Sequence, residues 1–118
     1  MLSIIFAIVV ALLHAYFAVL EMVLWQKPRG LKTFGNTPER AKVMSVMAFN
    51  QGLYNLFLSA GLVASVLLPM PTAMAFRYFF FACVIAAGSV GGLTVSKRIF
   101  FFQAVPAIIG LVLTFLAL

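Results

Sequence analysis

Four apolar segments, each near the length needed to cross a membrane, make up most of this chain. They cover about residues 2–25, 46–68, 72–95 and 99–118. About 20 apolar residues in a helix cross the roughly 30 Å of bilayer hydrocarbon. A helix satisfies its own backbone hydrogen bonds there, whereas a membrane β-barrel would show alternating segments of roughly ten residues. The pattern predicts an all-α membrane protein, with one transmembrane domain over residues 1–118 built as a four-helix bundle.

The composition is that of a protein surrounded by lipid, and it argues against nucleic acid as a partner. The chain is 65% hydrophobic and 8% charged, whereas soluble domains carry about 25% charged residues. A net charge of +6 would suggest nucleic acid binding in a soluble protein, but these cations flank apolar segments, as topology signals do. We therefore expect membrane lipids as partners and no nucleic acid.

The connections between the segments predict topology. Residues 69–71 and 96–98 are so short that neighbouring helices must run antiparallel. In the longer connection, residues 26–45, Thr37, Pro38 and Glu39 are typical of a helix start, with an N-cap, a proline at the first position and an acid in the first turn. The second membrane helix is therefore expected to begin near Pro38, before the bilayer.

The distribution of cations predicts orientation. Seven of the eight lie in the first and third connections, and only Arg77 belongs to the other side. Because Lys and Arg are enriched in cytoplasmic loops, the connection at residues 26–45 should be cytoplasmic and both termini non-cytoplasmic.

Small residues mark candidate packing positions. Gly88 and Gly92 have the spacing at which two membrane helices approach closely, and Ala60 with Ala64 repeats it. Spacing leaves open whether these contacts form within one chain or between copies, so a homo-oligomer stays an option.

Polar residues inside the apolar segments are the main candidates for a site, because a charge at the bilayer centre costs roughly 2.5–3.5 kcal/mol. His14 and Glu21 share one helix face, about 10 Å apart along the axis. In the second segment Asn50 stacks over Tyr54, and Gln51 over Asn55. Pro106 lacks an N–H and so frees the Phe102 carbonyl, close to Gln103.

The predicted orientation of the helices places most of these polar residues at similar depth in the membrane. The candidate pocket, opening toward the cytoplasm with Glu21 as its only acid, consists of His14, Glu21, Asn50, Gln51, Tyr54, Asn55 and Gln103.

The alternative is that the amides only join helices, at about 0.6 kcal/mol per hydrogen bond. No zinc spacing, phosphate loop, haem pair or nucleophile motif is present, so no metal or cofactor is expected. The single cysteine, Cys83, excludes an intrachain disulfide.

Several motifs resemble the DUF1304 family of small bacterial integral membrane proteins of undefined function. They are Glu21-Met-Val-Leu-Trp25, Pro28-Arg-Gly30, Phe34-Gly35, Asn50-Gln-Gly-Leu-Tyr-Asn55, Ser96-Lys-Arg98 and Gln103-Ala-Val-Pro-Ala107. The resemblance implies a four-helix fold in the bacterial cytoplasmic membrane and assigns no chemistry.

Three functions remain open. Size and a glutamate in the first helix are similar to small multidrug transporters, although the charge bias disfavours their antiparallel dimer. A second is an intramembrane isomerase or cyclase acting on a lipid-like substrate, loosely similar to emopamil-binding sterol isomerases, with Glu21 or His14 as the acid-base group. A third is an accessory subunit that docks through Gly88 and Gly92. We expect a pocket that binds or transports a small lipophilic or amphiphilic molecule.

Overall fold

The computed structural model describes all residues, Met1–Leu118, and every regular element in it is a helix. The helices in chain order are α1 (Leu2–Met22), α2 (Pro28–Phe34), α3 (Pro38–Val43), α4 (Ser45–Leu67), α5 (Thr72–Thr94) and α6 (Lys97–Phe115). The all-α prediction is confirmed.

Three helices, α1, α5 and α6, are long and apolar enough to cross a membrane by length and composition, which indicates a membrane protein. The fourth expected span, α4, is long enough at 23 residues but is not among them. Its first half carries Asn50, Gln51 and Asn55, which lower its mean hydropathy. The structure thus supports three of the four expected spans directly.

The first connection contains more helix than the sequence predicted. Helix α1 ends at Met22, not near residue 25, and the expected loop at residues 26–45 contains both α2 and α3. A proline begins each short helix, where its missing N–H costs nothing. The Thr37 hydroxyl accepts a hydrogen bond from the Arg40 N–H at 3.2 Å, which confirms the predicted N-cap. The helix that starts at Pro38 ends at Val43, and α4 begins at Ser45.

Helix α6 contains a wide turn. After one α-helical turn, Phe100–Ala104 is π-helical, and the Val105 N–H bonds to the Phe100 carbonyl. The wide turn ends just before Pro106, which has no N–H to continue the α-helical pattern. The π-helical turn was not predicted from the sequence, and the freed Phe102 carbonyl stays a prediction.

The chain divides into two compact units. The larger unit comprises residues 1–13 and 58–118, and the smaller unit comprises residues 14–57. The prediction of one transmembrane domain stays a prediction. Parts of α1, α4, α5 and α6 form the core of the larger unit, through Ala7, Val10, Ala11, Leu62, Phe81, Val84 and Ala107.

Arg77, the cation expected on the non-cytoplasmic side, is buried inside the larger unit. One terminal nitrogen donates to the Ser3 hydroxyl at 3.3 Å, and the other donates to the Ser65 carbonyl at 2.7 Å. These acceptors belong to the start of α1 and the end of α4. Hydrogen bonds to a charged donor are stronger than neutral ones, so Arg77 joins both helix ends to α5. The Leu2 N–H bonds to the Leu118 carbonyl at 2.7 Å, so the start of α1 lies at the same end of this unit as the chain's last residue.

Gly88 and Gly92 lie where α5 meets α6. A Cβ added at Gly88 would lie 2.6 Å from the Ala104 amide nitrogen, and one at Gly92 would lie 2.7 Å from the Phe100 Cβ. Real Cβ atoms essentially never lie within 3.0 Å of such a heavy atom. Both glycines therefore allow close packing within the chain. Ala60, by contrast, is exposed.

We predict that Gly88→Ala destabilises the folded protein by about 1–3 kcal/mol, because the added methyl group meets the backbone of α6. The control is Ala87→Val, which adds carbon atoms to the neighbouring exposed position. Unfolding in detergent measures both variants. Equal stability of the two would show that the close approach at Gly88 is not required.

Candidate functional site

Small residues bring α1 and α4 together in the smaller unit. Ala18 and Glu21 of α1 are buried, as are Gly52 and Asn55 of α4. A Cβ at Gly52 would lie 3.2 Å from the Ala18 carbonyl oxygen and would overlap the Met22 side chain. The missing side chain at Gly52 therefore lets the two helices approach, and it sets their register.

Glu21 and Asn55 form a buried hydrogen bond between these helices. The Asn55 side-chain amide donates to Glu21 Oε1 at 2.5 Å. Glu21 is 9% exposed and Asn55 is 7% exposed. A buried polar group without a partner is costly, so this contact offsets the burial of both side chains. It also leaves hydrogen-bonding capacity on the second carboxyl oxygen and on the amide oxygen.

His14 lies on the same buried face of α1, two turns before Glu21. It is fully buried, and its ring contacts Phe17 edge-on, with centroids 5.5 Å apart and planes at 72°. His14 does not line the cleft beside Glu21. The structure therefore buries His14 away from the cleft.

An open cleft of about 640 Å³ lies next to Glu21, within the smaller unit. Ligand sites combine apolar walls with a few polar groups. This cleft has both kinds of wall. It is lined by Glu21, Met22, Val23, Trp25, Gln26, Lys27, Ser45, Val46, Phe49 and Asn50.

The first connection holds the walls of the cleft in place. Trp25 donates its indole N–H to the Ala41 carbonyl of α3 at 2.8 Å, and its ring lies 5.0 Å from that of Phe34 in α2. Gly30 packs so tightly against the Leu24 carbonyl that a Cβ would overlap it. Both short helices are thus fastened to the segment after α1, which provides Trp25, Gln26 and Lys27.

The remaining candidates are distributed differently. Of the four polar side chains of α4, only Asn55 is buried; Asn50, Gln51 and Tyr54 are exposed. Asn50 lines the open cleft, whereas Gln51 and Tyr54 do not. Gln103 belongs to the larger unit, in the π-helical turn beside Gly88.

Sequence reasoning missed Trp25, Gln26, Lys27 and Ser45 as lining residues. Their only signal was position, since they flank the ends of the first two apolar segments next to the expected polar cluster. Chemically, the cleft offers one carboxyl, one ammonium, two amides and a hydroxyl above an apolar surface. No three His, Cys, Asp or Glu side chains lie together to hold a metal ion.

Comparisons with known proteins give one result. No curated protein and no solved structure matches the chain. The family model described as "Protein of unknown function (DUF1304)" matches residues 8–115. That range includes every residue that lines the cleft. The match confirms the resemblance seen in the sequence motifs, and the chain belongs to the DUF1304 family.

Proposed function

We propose that this chain is a four-helix integral membrane protein whose cleft binds a small amphiphilic molecule at the membrane interface. The observation that carries the proposal is the buried Glu21–Asn55 hydrogen bond at the edge of an open cleft with both polar and apolar walls. Binding is the step that the transport and catalytic hypotheses share.

The lengths of the helices support an interfacial depth for the cleft. Helix α1 has 21 residues and is about 32 Å long, close to the ~30 Å thickness of the hydrocarbon. Glu21, its penultimate residue, then lies at the hydrocarbon boundary. Because Gly52 packs beside Met22, the seven residues of α4 before it extend about 10 Å beyond α1.

This depth also accounts for the composition of α4. Asn50 and Gln51 would lie at the level of the lipid headgroups, where amides remain hydrated. The later residues of α4, from Leu56 to Leu67, contain no charged residue, Asn or Gln. We therefore include α4 as the fourth span, one that begins in the headgroup layer and crosses from there.

The lining residues indicate the chemistry of the ligand. Glu21, Gln26, Lys27 and Asn50 suit a polar headgroup with hydrogen-bond donors and acceptors. Val23, Val46 and Phe49 suit an apolar tail. Molecules with one polar end and one apolar end, at the water–lipid boundary, fit this arrangement.

We assign the cleft to the cytoplasmic face of a bacterial cytoplasmic membrane, with both termini on the opposite side. Five of the eight cations lie between residues 27 and 42, next to the cleft, and cytoplasmic loops carry such an excess.

The orientation predicts the labelling of single cysteines in a Cys83→Ser background. Thr33→Cys, exposed on α2, should react with a membrane-impermeant thiol reagent only after cells are permeabilised. Thr72→Cys, exposed at the start of α5, should react in intact cells. The reverse pattern would place the cleft on the outer face.

We predict that Glu21→Gln lowers retention of the bound amphiphile about fivefold or more, because leaving a buried polar group without its partner costs about 1–3 kcal/mol. Native mass spectrometry of protein released from membranes measures the retained molecule. The control Glu39→Gln makes the same change at an exposed residue outside the cleft and should retain it as the wild type does. Equal retention by both variants would refute a ligand contact at Glu21.

A further inference from the structure

Arg29 and Tyr16 form a contact outside the cleft that the proposed binding function does not use. Arg29 Nε donates to the Tyr16 hydroxyl at 2.9 Å, and Nη2 donates to the same oxygen at 2.7 Å. The guanidinium carbon lies 5.8 Å from the centre of the tyrosine ring. Two of the five guanidinium N–H groups are thus occupied, while Nη1 makes no hydrogen bond within the chain.

The contact is aligned with the membrane-spanning helix. Tyr16 lies six residues before the end of α1, about 9 Å inside that end, and is 41% exposed on its outer face. Val19, about one turn later, continues the same exposed face of α1. With α1 in the membrane position proposed above, the guanidinium of Arg29 lies beside a lipid-facing surface, about 9 Å along the axis from the end of the helix.

The charges around this contact are not balanced by the chain. Residues 27–42 contain Lys27, Arg29, Lys32, Arg40 and Lys42 but only one acid, Glu39. The chain's other acid, Glu21, is buried against Asn55. The tyrosine hydroxyl is neutral, so it orients the guanidinium without neutralising it. An anion is the complementary partner.

We propose that Arg29 and Tyr16 bind the phosphate of an anionic phospholipid, whose acyl chains lie along Val19. The planar guanidinium presents its remaining N–H groups to two phosphate oxygens. The tyrosine oxygen accepts from Arg29, and its own O–H is free to donate to a third phosphate oxygen. Neither Arg29 nor Tyr16 lines the cleft, so the site does not depend on the ligand proposed there, although it rests on the membrane position proposed for α1.

The test compares lipid retention by the full chain in mixed vesicles of phosphatidylglycerol and phosphatidylcholine, read by native mass spectrometry after extraction. The wild type should retain phosphatidylglycerol preferentially. Arg29→Gln should lower that preference about tenfold or more, the value of a hydrogen bond to a charged group, which exceeds the roughly fivefold effect of one diffuse surface cation. Tyr16→Phe should also lower the preference for phosphatidylglycerol. Arg29→Lys, which keeps the positive charge, should retain part of that preference.

The matched control is Arg40→Gln, which removes one exposed cation from α3 and should cause a clearly smaller loss. Equal losses from Arg29→Gln and Arg40→Gln would show that only diffuse charge attracts the lipid, and this would overturn the site. Equal retention of both lipids by the wild type would overturn it as well.

Inorganic phosphate alone should not raise the unfolding temperature of detergent-solubilised protein. If it does so as strongly as phosphatidylglycerol, the lipid assignment is wrong. Because Tyr16→Phe removes only a hydroxyl, it keeps the test valid if Arg29→Gln fails to fold.

Discussion

The hydrogen bond between Glu21 and Asn55 is the interaction on which the smaller unit depends. It joins α1 to α4 where burial would otherwise leave two polar groups without partners. Together with Gly52, it sets the register in which α4 extends beyond the end of α1. That extension and the folded first connection leave a cleft between them. The same contact thus determines both the packing and the position of the candidate site.

The length of the uninterrupted apolar segments was the most informative property of the sequence. It predicted α1, α5 and α6, since an unbroken apolar run of about 20 residues permits little other than a membrane helix. Local chemistry also predicted the start of α3, where Thr37 caps the helix that begins at Pro38. The two short helices of the first connection were not foreseen. They are held by tertiary contacts, such as the indole bond to Ala41 and the close packing at Gly30, that periodicity does not encode.

The candidate site was predictable only in part. Helical geometry and orientation predicted Glu21 and Asn50 at similar depth, and both line the cleft. The structure also joins Glu21 to Asn55, another predicted pocket residue, by a hydrogen bond. The rotation of α4 about its axis was not available from spacing, so Gln51 and Tyr54 were included although they are exposed. The residues that complete the cleft, Trp25 to Lys27 and Ser45, depend on how the connection folds. The lateral position of each side chain depends on helix packing, which residue spacing does not give.

The most direct test of this account is an experimental structure of the chain in a lipid bilayer without added ligand, inspected at the cleft. We expect elongated density there, with a polar end near Glu21 and Asn50 and an apolar end against Phe49. Asn55 should still donate to Glu21. A cleft closed by its own side chains, with no density and with Glu21 turned away from Asn55, would contradict the proposed binding site.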